Sequence, residues 1–433
     1  MAQPREAYWK KCKGSRLEAL NFNFQGINMS LIVQKFGGTS VVDIERIKNV
    51  ARRVTTVFDQ DNDVVVILSA MAGVTDNLIK LAGQASAAPS KRELDVLLAT
   101  GEQTTAALLA MILKDMHYPA QSLLGYQAEV VTDGTFGNAR ILGVGTRRIK
   151  EMVAKKKIAV VAGFQGCDPK GNITTLGRGG SDTSAVAIAS ALNADMCEIY
   201  TDVDGIYTTD PNICARARKI DKICYEEMLE MASLGAKVLQ IRSVEVAKKY
   251  NVHVHVRSSF SDEEGTMVVS EDSGMERLVV SGITCNNNEA RITLRKVPDR
   301  PGIAASIFTP IADAGIQVDM IVQNTRSNGK NDLTFTVPVE NFDMALEIGN
   351  KVAAEIGAEE VLGDKNIAKV SVVGVGMKNH SGVAAKMFGT LAAENINIRL
   401  ITTSEIRISC VVTEKYAELA VRALHTAFGL DKE

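Results

Sequence analysis

The C-terminal part of the chain is written twice. Ala290-Arg291-Ile292-Thr293-Leu294 matches Ala368-Lys369-Val370-Ser371-Val372. The stretch from Pro301 to Phe308 matches Ser381 to Phe388, and Gly315 to Ile321 matches Asn395 to Ile401. The offset is 78 residues at the start and 80 afterwards. Each copy reads strand, glycine-containing turn, helix, strand, which predicts a duplicated ferredoxin-like βαβ unit. Units this short bury little surface alone, so the two copies are expected to pack on each other or on another chain.

Ahead of the repeat the pattern changes. Leu31 to Val33, Val64 to Leu68, Ile158 to Val161, Glu198 to Tyr200 and Val252 to Val256 are short apolar runs that predict strands. Between them, Glu45 to Val57, Leu94 to Leu113, Ser184 to Leu192 and Tyr225 to Ala232 predict helices. This alternation predicts an α/β domain, a mainly parallel sheet sandwiched by helices, over residues 30–260. Chemistry in such sheets sits in loops beyond the carboxyl ends of the strands. The polar, acidic segment 261–276 reads as a linker. The first repeat region follows over 277–353, with a leading strand at about 277–286 that can also be assigned to the second repeat, which spans 354–433. Residues 1–29 hold the only tryptophan and a basic cluster (Lys10, Lys11, Lys13) without a secretory apolar core, and they read as a flexible extension with Met29 as the natural start.

Three loops carry chemistry. Lys35-Phe36-Gly37-Gly38-Thr39-Ser40 follows the first strand, and its paired glycines let backbone N–H groups approach an anion beside a full positive charge. The lysine precedes the glycines, so this is not a Walker A loop. A tight turn with a solvated lysine explains it equally well. Gly177-Arg178-Gly179-Gly180-Ser181-Asp182 opens a small-residue helix, where an arginine can grip a carboxylate or phosphate through two parallel bonds. Helix capping explains Ser181 or Asp182 but not the arginine with three glycines. Thr201-Asp202-Val203-Asp204-Gly205-Ile206-Tyr207 continues to Asp210-Pro211 and suits a ribose or metal shell, or a turn with Asx hydrogen bonds. Anion-binding loops on one sheet without a redox motif point to phosphoryl transfer, which needs charge neutralisation and alignment.

Composition removes other classes. The formal net charge is −2 with both signs interspersed, so no basic stripe invites nucleic acid. The apolar runs have strand length, which argues against a membrane partner. The seven cysteines are scattered without a Cys-x-x-Cys pair, which suits a reducing cytoplasm and indicates no zinc site. His253 and His255 share a strand face but lack a third ligand nearby, so no metal site is assigned to protein side chains.

Taken in order, Lys35 to Ser40, Ser69-Ala70-Met71, Gly101-Glu102-Gln103, Gly177 to Asp182 and Thr201 to Tyr207 resemble the aspartokinases. The resemblance runs from Leu31 nearly to the last residue, and the repeat looks like the tandem ACT domains of the monofunctional members. It implies an amino-acid-kinase fold followed by two ACT domains, and phosphorylation of the L-aspartate side chain by ATP with Mg2+, the first step toward lysine, threonine and methionine. It implies Lys35 and Asp182 as catalytic residues. Lys35, Phe36, Gly37, Gly38, Ser40, Ser181, Thr201, Asp202, Tyr207, Asp210, Pro211 and Lys237 would border the nucleotide. Thr75, Glu102, Arg178, Gly179, Gly180 and Ser181 would hold aspartate, with Glu102 on its ammonium group. Lysine, threonine or both would bind at Gln317, Val318, Asp319 and Gln323 in the first copy and at Val383, Ala384, Asn397, Ile398, Ser404 and Glu405 in the second. Effector sites shared between chains imply a homodimer or larger assembly. Val42 and Asn212 depart from the family pattern, which usually has glycine and a basic residue there. Competing readings are a kinase of the same fold acting on glutamate, N-acetylglutamate or carbamate, and a catalytically silent amino-acid sensor.

Overall fold

The computed structural model describes residues 30–234, 238–271, 279–325 and 329–432. Lys237, the extension 1–29 and part of the 261–276 segment lie outside the described residues.

The first half is built on an eight-stranded sheet. Its strands are β1 (Leu31–Phe36), β2 (Asp63–Leu68), β3 (Ala120–Leu123), β4 (Ile158–Ala162), β5 (Met196–Thr201), β6 (Lys222–Cys224), β7 (Val254–Ser258) and β8 (Thr266–Val269). The order is β6-β8-β7-β5-β1-β2-β4-β3. All neighbours run parallel except β7 and β8. Thr266–Val269 therefore completes the sheet from within the segment read as a linker. That four-residue strand is too short to announce itself beside so many charged neighbours.

Strand alternation divides the core into two layers. Phe36, Val64, Val66 and Leu68 face one layer, under the helices α1 (Ile44–Phe58) and α2 (Val74–Ala85) and the long α3 (Lys91–Asp115). Val33, Val65 and Ile67 face the other, with α4 (Gly180–Leu192), α5 (Tyr225–Ser233) and α6 (Ile241–Tyr250). α3 alone among the described helices has the length and mean apolarity of a membrane span, although polar residues from Thr100 to Thr105 interrupt its apolar runs. Half of that stretch lies buried in the protein, as in a soluble core helix.

The repeats form one six-stranded antiparallel sheet, in the order β10-β11-β9-β12-β14-β13. Its strands are β9 (Gly282–Pro298), β10 (Ile321–Thr325), β11 (Lys330–Val337), β12 (Glu360–Val373), β13 (Leu400–Thr403) and β14 (Arg407–Thr413). α7 (Ile303–Asp313) and α8 (Phe342–Ile356) cover the first copy, and α9 (Val383–Ala393) and α10 (Ala417–Ala427) the second. The two copies interlock through the long central strands. Gly282 to Asn286 of β9 pairs with Lys369 to Val373 of β12, while Arg291 to Arg295 pairs with Glu360 to Asp364. The start of β9 thus belongs to the second repeat's part of the sheet, where Ile283 joins the second copy's core. Gly302 and Gly382 begin α7 and α9 at φ +89° and +99°, a region where only glycine is unstrained.

Candidate active site

Lys35 is the penultimate residue of β1, and the turn after the strand is forced by close approach. A Cβ on Gly38 would sit 2.9 Å from the Ala70 carbonyl oxygen. Gly38 in turn accepts the Ala72 amide at 3.2 Å, and Gly37 donates to the Tyr200 carbonyl at 3.2 Å. The loops after β1, β2 and β5 are thereby joined. Gly163, after β4, lies so close to the head of α4 that a Cβ there would reach Ser181 Cβ at 3.0 Å. Backbone amides and one lysine therefore converge beyond the carboxyl ends of four parallel strands.

Lys35 Nζ meets Asp182 Oδ1 at 2.5 Å, with both side chains 10% exposed. Asp182 stands in the first turn of α4, which has no side-chain cap; its N-cap is Gly179 at φ +70°. Capping thus does not account for Asp182. The helix begins at Gly180 rather than at Ser184, because Gly179 supplies the left-handed entry that a Ser or Asp cap would otherwise organise. Arg178 is exposed just ahead, with no ion-pair partner among the described residues. The loop beneath it is braced. Asp95 accepts from Thr175 N and Oγ1, both at 2.8 Å, and Arg242 donates to the carbonyls of Ala139 at 2.8 Å and of Leu176.

Glu102 is 4% exposed in mid-α3, not on an outer helix turn. Its Oε1 accepts the Ala70 amide at 3.0 Å, and its Oε2 is buried without a hydrogen-bond partner among the described residues. Burial pushes its carboxyl up to about 7, against the lowering effect of the Ala70 bond. A carboxylate with one free oxygen beside the Lys35 loop is suited to a cationic group. Thr75 is half-buried in the first turn of α2, two residues after Gly73 at φ +80°.

Other candidate residues are engaged elsewhere. Phe36 is fully buried and stacks on Tyr200 at 4.6 Å, so its side chain serves the core and only its backbone can face a ligand. Ser40 is 1% exposed and its hydroxyl lies 2.6 Å from that of Ser259. Val42 sits at φ −62°, where glycine has no advantage. Thr201 donates to Asp202 at 3.0 Å, Tyr207 to Asp204 at 2.9 Å, and the Asn212 amide to Asp210 at 2.8 Å. Those acids have the local bonds of a turn, and Asp210 and Pro211 are exposed. Phe164 was not singled out from sequence. It lies at φ +65°, packs against Gly180 and donates its amide to Ser184 Oγ at 3.1 Å. A bulky residue there is strained, and no sequence signal marks it.

In the repeats, Gln323 lines a cavity of about 140 Å³ with Gly302, Ile303, Ala304 and Asn331. Asn331 Oδ1 is buried there without a hydrogen-bond partner among the described residues. Asp319 Oδ2 is paired with Lys369, which also meets Glu289 at 2.8 Å, so an effector's ammonium at Asp319 would share the carboxylate with Lys369. Val318 packs toward the first copy's core and Gln317 is exposed. In the second copy Val383 is buried, Ala384 and Ile398 pack beside it, and Asn397 and Ser404 are exposed. Glu405 pairs with Lys378 at 3.2 Å. Among the described residues, no group of three or more His, Cys, Asp or Glu is arranged to hold a metal.

Comparison with known proteins gives the domain families and relatives of the chain. Residues 30–258 match the amino acid kinase family, and 292–357 and 370–428 match ACT domains. An aspartate kinase of Stutzerimonas stutzeri is 56% identical over 93% of this chain and 98% of its own. An aspartokinase of Helicobacter pylori is 51% identical over 93% and 100%. Among solved structures, E. coli aspartokinase III in complex with aspartate and ADP has a TM-score of 0.75 at 28% identity, covering 92% of this chain and 99% of that one. Its complex with lysine and aspartate has a TM-score of 0.74 at the same identity and coverage.

Proposed function

The chain belongs to the aspartokinase family, and from that premise we propose how its residues divide the work of the reaction. That reaction transfers the γ-phosphoryl group of ATP to the side-chain carboxylate of L-aspartate, giving 4-phospho-L-aspartate and ADP. The observation that carries the residue assignment is the buried Lys35–Asp182 pair at the meeting point of the glycine loops, with the free oxygen of Glu102 nearby.

Both reactants are anions, so bringing them together is the main barrier that the protein addresses. Lys35 neutralises phosphate charge, with the backbone of Gly37 and Gly38 in close approach. Asp182 holds Lys35 in position through the 2.5 Å ion pair. Arg178 grips a substrate carboxylate, and Gly179, Gly180 and Ser181 present the head of α4 toward the transferring group. Glu102 Oε2 receives the aspartate ammonium, and Thr75 borders the same acceptor. The segment from Thr201 to Pro211 borders the nucleotide, together with Lys237. Magnesium bound on the phosphates would neutralise further charge, and we assign it no protein cage. The acceptor is chosen by its free ammonium at Glu102 and its carboxylate at Arg178.

ADP release assayed in parallel with aspartate, glutamate and N-acetylglutamate tests the acceptor; turnover with aspartate alone is expected. Lys35→Ala and Arg178→Ala should each lower kcat/KM by ~10²–10³, the scale of losing one preorganised electrostatic donor. Arg178→Ala should also raise KM for aspartate. Near-normal kinetics in either folded variant would refute its assignment.

A further inference from the structure

We propose that His425, in the regulatory half, is a positioning residue for the nucleotide loop of the catalytic half. The proposal rests on the reading of Thr201 to Pro211 as the nucleotide border. Thr208 directly follows Tyr207 in that segment. Its hydroxyl lies 2.9 Å from His425 Nε2 and accepts the Arg218 amide at 3.0 Å. Its carbonyl accepts the amide of Ile283 at 2.7 Å. His425 belongs to α10 and Ile283 to the start of β9, so these two holds come from the second repeat, beside the bonds that Thr208 makes with Arg218 in its own half.

The loop beyond Thr208 follows the same path. Tyr207 and Ile206 pair with Lys219 and Ile220 in a small hairpin. The hairpin's connecting loop lies along α10: Arg422 donates to the Ile213 carbonyl at 3.4 Å, Ile213 packs into the second repeat's core, and Arg216 meets Asp431 at 3.5 Å. The tip of the loop is thus seated on the regulatory half.

A structural role alone does not require this arrangement. His425 is fully buried on a helix face shared with Val421 and Leu424, and its Nδ1 has no hydrogen-bond partner among the described residues. A leucine there and a valine at 208 would fill similar space with fewer polar groups to satisfy. Replacing both partners of a buried hydrogen bond by apolar groups of like shape is often nearly neutral for stability. The imidazole instead fixes one rotation of Thr208, and through it the backbone that carries Tyr207 and the Tyr207–Asp204 bond.

Steady-state kinetics of the full chain with ATP and aspartate separates the possibilities. His425→Leu and Thr208→Val are each expected to raise KM for ATP about two- to tenfold, the range of one net hydrogen bond, and to leave KM for aspartate unchanged. The double variant should be no worse than either single one, and His425→Gln should recover part of the loss. Thr208→Val, the smaller change, serves if His425→Leu does not fold. Equal rises in both KM values accompanied by a fall in Tm would mean a purely structural role and overturn the proposal. If Tyr207→Ala raises KM for ATP but His425→Leu and Thr208→Val do not, the proposal fails while the nucleotide reading of the loop stands. If none of the three raises it, the nucleotide reading fails and the proposal with it.

Discussion

Glu102 illustrates how a single side chain reports both substrate and environment. Its carboxyl is raised from an ordinary 4.5 to about 7 by burial. A proton is therefore bound more tightly in the folded protein than in the unfolded chain. The associated stability is fully present below about pH 4.5 and is lost as pH rises to about 7, amounting to ~3 kcal/mol by linkage. Function runs the opposite way, since the proposed partner of the aspartate ammonium is the ionised form. KM for aspartate is expected to fall as pH rises through about 7, with KM for ATP much less affected. Glu102→Gln should raise KM for aspartate far more than KM for ATP, flatten that pH dependence and remove the stability loss between pH 4.5 and 7. Kinetics and urea unfolding at several pH values check all three. Equal loss of affinity for both substrates would mean a structural role. The resemblance pointed to Glu102, but its burial was not legible. On α3, Asp95, Glu102 and Thr105 are buried beside Leu98, Ala106 and Leu109, and such a polar stripe reads as surface until the facing loops are seen to fill it.

At the scale of elements, glycines decide where the ligand loops can go. Gly38→Ala must displace either its own turn or the Ala70 carbonyl, and that carbonyl belongs to the same loop whose amide binds Glu102. The variant should lose stability and bind both substrates more weakly. Gly83 gives the contrast. It lies in α2, and a Cβ there would meet nothing within 4 Å. Gly83→Ala should raise stability by ~0.4–1 kcal/mol with unchanged kinetics. Thermal unfolding of the two variants checks the pair; a Gly38→Ala protein as stable as the wild type would show that the turn relaxes freely. The main strands of the parallel sheet and its long helices were legible because β-branched runs and helical periodicity are local properties. The start of α4 was not, because Gly-Gly-Ser-Asp reads as loop while the structure uses Gly179 as the cap and turns Asp182 to Lys35. Phe36 and Ser40 were read as ligand residues from their place in a motif, and the core and Ser259 claim their side chains instead.

At the scale of the whole molecule, the repeat announced two like units but not how they share strands, since that depends on pairings between residues about 65 to 91 positions apart. The shared sheet has a consequence for regulation. The cavity beside Gly302 and Gln323 opens off β11, which pairs with β9; β9 pairs with β12, and the start of β9 also holds Thr208. A ligand that shifts the first repeat therefore has a continuous path of hydrogen-bonded strands to the catalytic half. It acts only to the extent that it binds two arrangements differently, which sets a coupling of ~1–3 kcal/mol. The family membership and the cavity lead us to propose lysine, threonine or both as inhibitors, with Asn331 Oδ1 and Gln323 facing the ligand. Inhibition should be measured with each amino acid singly and together, alongside light scattering to determine whether the chain is a dimer or larger. Gln323→Ala should raise the inhibitory concentration about two- to tenfold while leaving uninhibited turnover unchanged, the scale of removing one hydrogen bond to a ligand. Full sensitivity in Gln323→Ala would move the effector away from this cavity. If neither amino acid inhibits or binds the wild type, feedback through the repeats fails as a whole, while the assignments around Lys35 and Asp182 stand on their own tests.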